Sequence, residues 1–174
     1  MKKNMIVFFL CLLISNSLFC QTLAIKDLIK KMTCEKFECF NDFVINKGFS
    51  FSKSERFSLS KKNSGIYYSY ISDSNFTATK NKGVTTRNTV TIYFLDDGTT
   101  RISFSTSVSK YYQTFLNEIK SLNYLSTGSA PMTDGVIVTY SSKTIKDYDI
   151  TVTTSVGKLQ DMKYNIYILM IDKI

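Results

Sequence analysis

Few residues in this chain can do chemistry, and their spacing limits what they can do. Histidine is absent. That removes Ser-His-Asp and Cys-His catalysis and every imidazole metal ligand. Cys34 and Cys39 stand five positions apart. Two thiols without histidine cannot close a four-ligand zinc site, and the spacing is not the C-x-x-C of thioredoxin-like chemistry. In a continuous helix, residues five apart have Cα atoms about 8 to 9 Å from each other. A disulfide needs less than about 7 Å. A structural Cys34–Cys39 disulfide therefore requires a helix to begin between the two, with Thr33 as its candidate cap. Two free thiols are the alternative.

The carboxylates are as restricted. Asp147 and Asp149 share a face if they lie in a strand and are solvated in a turn; placed just before an apolar run, they read as surface or turn residues. Glu35 and Glu38 read as the first turn of a helix, where they complement its dipole. Asp96-Asp97-Gly98 has no further acidic ligands at calcium spacing and reads as a hairpin turn. No stretch matches G-x-x-x-x-G-K. No catalytic residue, cofactor or metal is expected, so the chain reads as a non-enzymatic protein. An enzyme using a thiol or carboxylate pair is the alternative.

The surplus is aromatic: 11 Tyr and 13 Phe, with no Trp. Gly65 precedes Ile66-Tyr67-Tyr68-Ser69-Tyr70-Ile71, a tyrosine-rich strand. If Ile66, Tyr68 and Tyr70 face the core, Tyr67 and Ser69 face out; the opposite register exposes Tyr68 and Tyr70. Tyr67, Tyr68 and Tyr70 are thus the candidate interaction face. Tyrosine buries a ring while its hydroxyl stays wet, which suits an interface. The expected partner is a protein, peptide or glycan of unknown identity. The formal charge is +8, but the basic residues are scattered, with short pairs such as Lys30–Lys31 and Lys61–Lys62. Nucleic acid is not an expected partner.

The elements that must position these residues follow from periodicity. Ile25, Leu28, Ile29 and Met32 mark an amphipathic helix, and Phe37, Phe40, Phe43 and Val44 a second. Gly48 sits where a helix C-cap wants no side chain. Phe49–Ser52 and Phe57–Ser60 alternate as strands, and Ser72 to Arg87 reads as a long polar loop or frayed hairpin. Val90, Ile92 and Phe94 alternate before the Asp97-Gly98 turn, and Ile102 and Phe104 return. Val108, Tyr111, Tyr112, Phe115, Leu116, Ile119 and Leu122 predict a third helix capped by Ser107 or Ser109. Gly128 to Gly135, with the only proline, Pro131, reads as a loop. Val136–Tyr140, Tyr148–Val152 and Tyr164–Ile171 read as strands, the last central because both faces are apolar.

The first residues carry an address. Lys2 and Lys3 precede the apolar run Met5–Ile14, followed by Ser15, Asn16 and Ser17. This is the plan of a secretory signal peptide, expected to cover 1–20. The run is too short to span a bilayer of about 30 Å, and no second such stretch follows. Phe19 and Ser17 depart from the lipoprotein pattern, so acylation of Cys20 is not expected. Removal of Lys2 and Lys3 takes the charge from +8 to +6. The expected mature protein is secreted or periplasmic and bacterial in style, a single domain over 21–174. A passive cell-envelope component or lipoprotein is a further alternative.

The predicted fold class is α+β: an antiparallel sheet with helices packed on one face. Element order suggests two helix-plus-sheet halves, 21–106 and 107–174, with Gly65–Tyr70 matching Gly135–Tyr140 in character. At the level of fold, this layout resembles small exported binders of the β-lactamase-inhibitor-protein type. The resemblance covers element order and half length and rests on no motif.

Overall fold

A computed structural model describes residues 23–60, 63–79, 82–159 and 162–174. The expected signal segment 1–20, Lys61–Lys62 and Gln160–Asp161, whose residue types suit a turn, lie outside the described residues. In chain order the elements are α1 (Ile25–Lys31), α2 (Phe37–Ile45), β1 (Ser50–Ser60), β2 (Asn63–Thr79), β3 (Lys82–Leu95), β4 (Thr100–Thr106), α3 (Ser109–Ser121), β5 (Tyr124–Met132), β6 (Gly135–Ser142), β7 (Tyr148–Leu159) and β8 (Met162–Lys173). The chain is largely sheet.

The helices form where the apolar spacing requires them. Ile25 and Leu28 of α1 and Phe40 and Val44 of α2 are fully buried. Cys34 and Cys39 are disulfide-bonded with Cα atoms 5.7 Å apart, and α2 begins between them at Phe37. The caps differ from expectation. Lys36 holds the N-cap position of α2, while the Thr33 hydroxyl donates to Lys30 O at 3.0 Å. Glu35 therefore precedes the helix, and only Glu38 lies in its first turn. Val108 holds the N-cap of α3 in place of Ser107 or Ser109, and its N–H donates to Thr106 Oγ1 at 3.0 Å. Packing supplies what the caps do not: the Ile25 N–H, an orphan donor at the start of α1, donates to Glu118 Oε2 of α3 at 2.5 Å. Gly48 ends α2 with φ 81°, a left-handed conformation that disfavours a Cβ. Phe49 then folds back, its N–H donating to Val44 O at 3.1 Å.

The strands form one eight-stranded sheet of order β1-β2-β3-β4-β8-β7-β6-β5, antiparallel throughout. Two four-strand meanders meet along β4 and β8, where Ile102 opposes Ile171 and Phe104 opposes Leu169. The apolar β8 is central, as its composition predicts. Two expectations are corrected and one alternative is decided. The two expected strands Phe49–Ser52 and Phe57–Ser60 merge into one, β1, which starts at Ser50 and whose register shifts between Phe51 and Lys53 and between Ser58 and Ser60. Of the two readings of Ser72 to Arg87, loop or frayed hairpin, the hairpin holds: the β2–β3 ladder continues from Ser74–Arg87 to Thr79–Lys82. The β1 ladder reaches only Ile71 and the β4 ladder only Thr89, so this stretch is a two-stranded ribbon. A ribbon with no third strand beside it needs no alternating apolar face, which hid it from periodicity. Gly128–Met132 is strand too, on the outer edge, where Pro131 costs no ladder bond to a further strand.

The core lies where helix and sheet residues meet. Tyr70, Val90, Phe104, Leu169 and Val152 stand opposite one another along successive ladders, as do Ile92, Ile102, Ile171 and Ile150. These residues join Leu28, Phe40, Val44, Phe115 and Ile119 in a single cluster. Phe115 meets Phe104 edge-on at 5.0 Å, and Tyr112 stacks on Tyr167 at 4.3 Å. Each buried large aliphatic side chain contributes about 1.5 to 3 kcal/mol. Gly65 and Gly135 open the second strand of each meander, and a Cβ at either would collide with a backbone carbonyl of the third, Phe94 or Thr154.

Candidate functional site

Successive side chains of a strand point to opposite faces, so the residues between the core positions form their own row. Glu55, Tyr67, Tyr93, Arg101, Asp172 and Asp149 are consecutive ladder partners across β1, β2, β3, β4, β8 and β7. The row continues at β6 with Ser141, whose hydroxyl donates to Asp149 Oδ1 at 2.5 Å, and at β5 with Leu125, which is 65 % exposed.

The aromatic end of this row is a built cluster. Phe57, Tyr67 and Tyr93 pack as a triangle. Their ring centroids are 5.7 Å (Phe57–Tyr93), 5.8 Å (Tyr67–Tyr93) and 6.1 Å (Phe57–Tyr67) apart. The Phe57 and Tyr93 rings are nearly perpendicular, at 85°, the edge-to-face arrangement that aromatic quadrupoles favour. With Arg101 and Met170 they line a depression of about 310 Å³.

Polar groups fix the rim. Tyr67 OH donates to Glu55 Oε2 at 2.6 Å, and Lys53 Nζ lies 3.4 Å from the same oxygen and 5.3 Å from the Tyr67 ring centre. The Tyr67 hydroxyl, and then Lys53, hold the Glu55 carboxyl below its ordinary pKa, while Tyr67 and then Glu55 raise that of Lys53. Burial raises the Tyr93 phenol, and Arg101 partly opposes it. Arg101 Nε donates to Asp172 Oδ1. Asp149 opposes Asp172 directly across the β7–β8 ladder, and among the described residues no ion pair reaches it.

The structure divides the three tyrosines of the expected face. Tyr68 and Tyr70 point to the core side: Tyr70 is 0 % exposed with its OH 3.3 Å from Asn41 Oδ1, and Tyr68 packs on Phe37 at 4.4 Å. Only Tyr67 joins the depression. The reason is register: Tyr70 opposes Val90 and Tyr68 opposes Ile92, so the core claims both. Asp149 is not a turn residue, because β7 starts at Tyr148; Asp147 alone precedes the strand. Asp97 accepts from the Thr99 hydroxyl at 2.6 Å and its N–H at 2.9 Å, as a turn residue does. Phe57, Tyr93, Arg101, Met170 and Asp172 escaped the sequence reading. Their alternation with the core positions of each strand was visible, but ladder partners cannot be read from one strand at a time.

Two other hollows offer less chemistry. One of about 440 Å³ is lined by the α1–α2 linker (Thr33, Cys34, Glu35), the β3–β4 turn, Tyr148 and Lys173. Its sulfur is already bonded, and Glu35 is its one carboxylate. One of about 280 Å³ beside Tyr124 carries Lys120 and Lys143. Among the described residues no three of His, Cys, Asp or Glu gather as a metal site. No helix among them is long and apolar enough to cross a membrane. Comparison with known proteins found no matching family model, no matching curated protein and no matching solved structure.

Proposed function

We propose that this protein is an exported, non-enzymatic binding domain that holds its partner on the sheet face carrying Tyr67 and Tyr93. The observation that carries this reading is the Phe57–Tyr67–Tyr93 cluster: three large rings held together at a half-buried surface, with polar rim groups already oriented. Rigid tyrosines bury contact area at low entropic cost. The helix contacts recorded by Phe40, Phe115 and Tyr112 all involve core-side sheet residues, which supports a fold with its helices on one face and the other face free. The paired glycines at Gly65 and Gly135 support two similar halves, 21–106 and 107–174, within one domain. Export is supported by Lys2–Lys3, the Met5–Ile14 run and a disulfide that suits an oxidising compartment.

A photo-reactive amino acid at position 67 tests the reading. It should give a discrete adduct in the native medium, and the same group at Lys30, on the outer side of α1, should not. Tyr67→Ser with Tyr93→Ser should weaken capture more than tenfold while far-UV circular dichroism stays unchanged. Equal adducts from both positions would remove the sheet face from consideration.

A further inference from the structure

We infer that the partner meets this face with an extended polypeptide segment, seating one apolar or aromatic side chain in the 310 Å³ depression and a Lys or Arg against Asp172 and Asp149. This rests on the sheet-face reading above and gives the occupant a chemistry.

The lining of the depression is the first reason. Phe57, Tyr67, Tyr93, Arg101 and Met170 are the residue types enriched at the centres of protein–protein interfaces. Charge is the second. Lys53 answers Glu55, and Arg101 answers Asp172, within the protein. Asp149 accepts from the Ser141 hydroxyl and has no ion pair among the described residues, yet it lies directly opposite a second carboxylate. Like charges directly opposite in a ladder are unfavourable, and an incoming cation relieves them. The chain as a whole is +8, so attraction of a basic segment is a property of this spot and not of the net field. Screening over about 8 Å at physiological salt lets the local carboxylates decide.

Geometry is the third reason. The next row on this face is Ser69, Thr91, Ser103, Met170, Thr151 and Thr139, mostly short hydroxyl side chains. Ser69 and Thr91 are buried between taller neighbours and hydrogen-bonded to each other at 3.3 Å. A backbone can lie flat along such a trough. From Tyr93 to Asp172 is two strand spacings, about 10 Å, and to Asp149 three, about 14 Å. An extended chain rising about 3.3 Å per residue covers this in three to four residues. Side chains on one face of an extended segment recur at every second residue, so the anchor and the base are four positions apart, with the base nearest Asp149.

The test pans a displayed library of random peptides, about twelve residues long, against the secreted full-length protein. Enriched peptides are then synthesised and their affinity read by fluorescence anisotropy. The expected consensus places Phe, Tyr, Trp or Leu four positions from Lys or Arg. Tyr67→Ser with Tyr93→Ser should weaken these peptides at least tenfold, and Asp149→Asn with Asp172→Asn should do so only for peptides that keep the base. Replacing that Lys by Gln in the peptide gives the same answer without altering the protein. No enrichment, acidic consensus sequences, or indifference to both the Asn changes and the Gln peptide overturns the inference. Binding of a neutral oligosaccharide panel that is lost with the two Ser changes, without peptide enrichment, overturns the polypeptide partner and leaves the sheet face standing. Adducts from the helix side alone overturn both.

Discussion

Glu55 and Tyr67 show how one hydroxyl sets the state of the rim. The folded carboxyl titrates below its ordinary value because Tyr67 OH donates to it and Lys53 stands beside it. A depressed acid adds stability above the ordinary carboxylate range, and that contribution is lost as pH falls through the folded value. Glu55 is solvent-facing, so the effect is better read as a titration than as a melting change. Carbon-detected NMR of Glu55 should show its midpoint rising toward the ordinary value in Tyr67→Phe; an unmoved midpoint would contradict the hydrogen bond. Tyr70 and Tyr124 test the opposite sign. Burial pushes both phenols up to about 12, so the folded state holds them neutral when an unfolded chain would ionise them. Their stabilisation is complete below about pH 10 and disappears as pH rises toward 12. Urea midpoints should fall across that window and fall less steeply in Tyr70→Phe. Tyr70 paired with Tyr67 explains the divided interaction face. Tyr67 and Tyr70 are the same residue type in one strand, and only the partner strand's Val90 shows which is core.

At the scale of elements, the helix pair and its disulfide were legible and the caps were not. The spacing of Cys34 and Cys39 requires a helix start between them, and Phe37 provides it. Replacing both with Ala should cost about 2 kcal/mol, the loop-closure value for so short a ring. The fold should survive, because Ile25, Leu28, Phe40 and Val44 stay buried. Urea unfolding of oxidised, reduced and Ala forms checks this, and a much larger loss would mean that the bridge, not packing, holds α1 and α2. Thr33, Ser107 and Ser109 look like caps, but Lys36 holds the N-cap of α2 while Thr33 donates back to Lys30 O, and Val108 holds that of α3 with its N–H on the preceding strand's Thr106. That the β2–β3 hairpin is paired along its length, and that β5 is a strand, were hidden for a related reason. Apolar alternation reports a strand with one buried face, and these segments lie beyond or beside their neighbours.

Across the whole molecule, the seam between β4 and β8 is decisive. It joins mid-chain residues, Arg101–Thr106, with Tyr167–Asp172 and makes one sheet from two meanders. Native-state hydrogen exchange should find the amides of β4 and β8 slowest, with β5, paired on one side only and exposed beyond Tyr124, among the fastest. Unfolding should be a single transition. Two separated transitions, each confined to one meander, would show that the halves are independent domains.

The sequence by itself determined that α1, α2 and α3 exist, that β8 is central, that Cys34 and Cys39 can bond only across a helix start, and that imidazole chemistry is unavailable. These are local properties, written in spacing and composition within a few residues of each other. Tertiary structure alone decided which tyrosine faces outward, and that Phe57, Tyr93, Arg101 and Asp172 stand beside it. Those neighbours are up to 105 positions from Tyr67 along the chain, and a shift of one residue in any ladder would turn each of them to the other face.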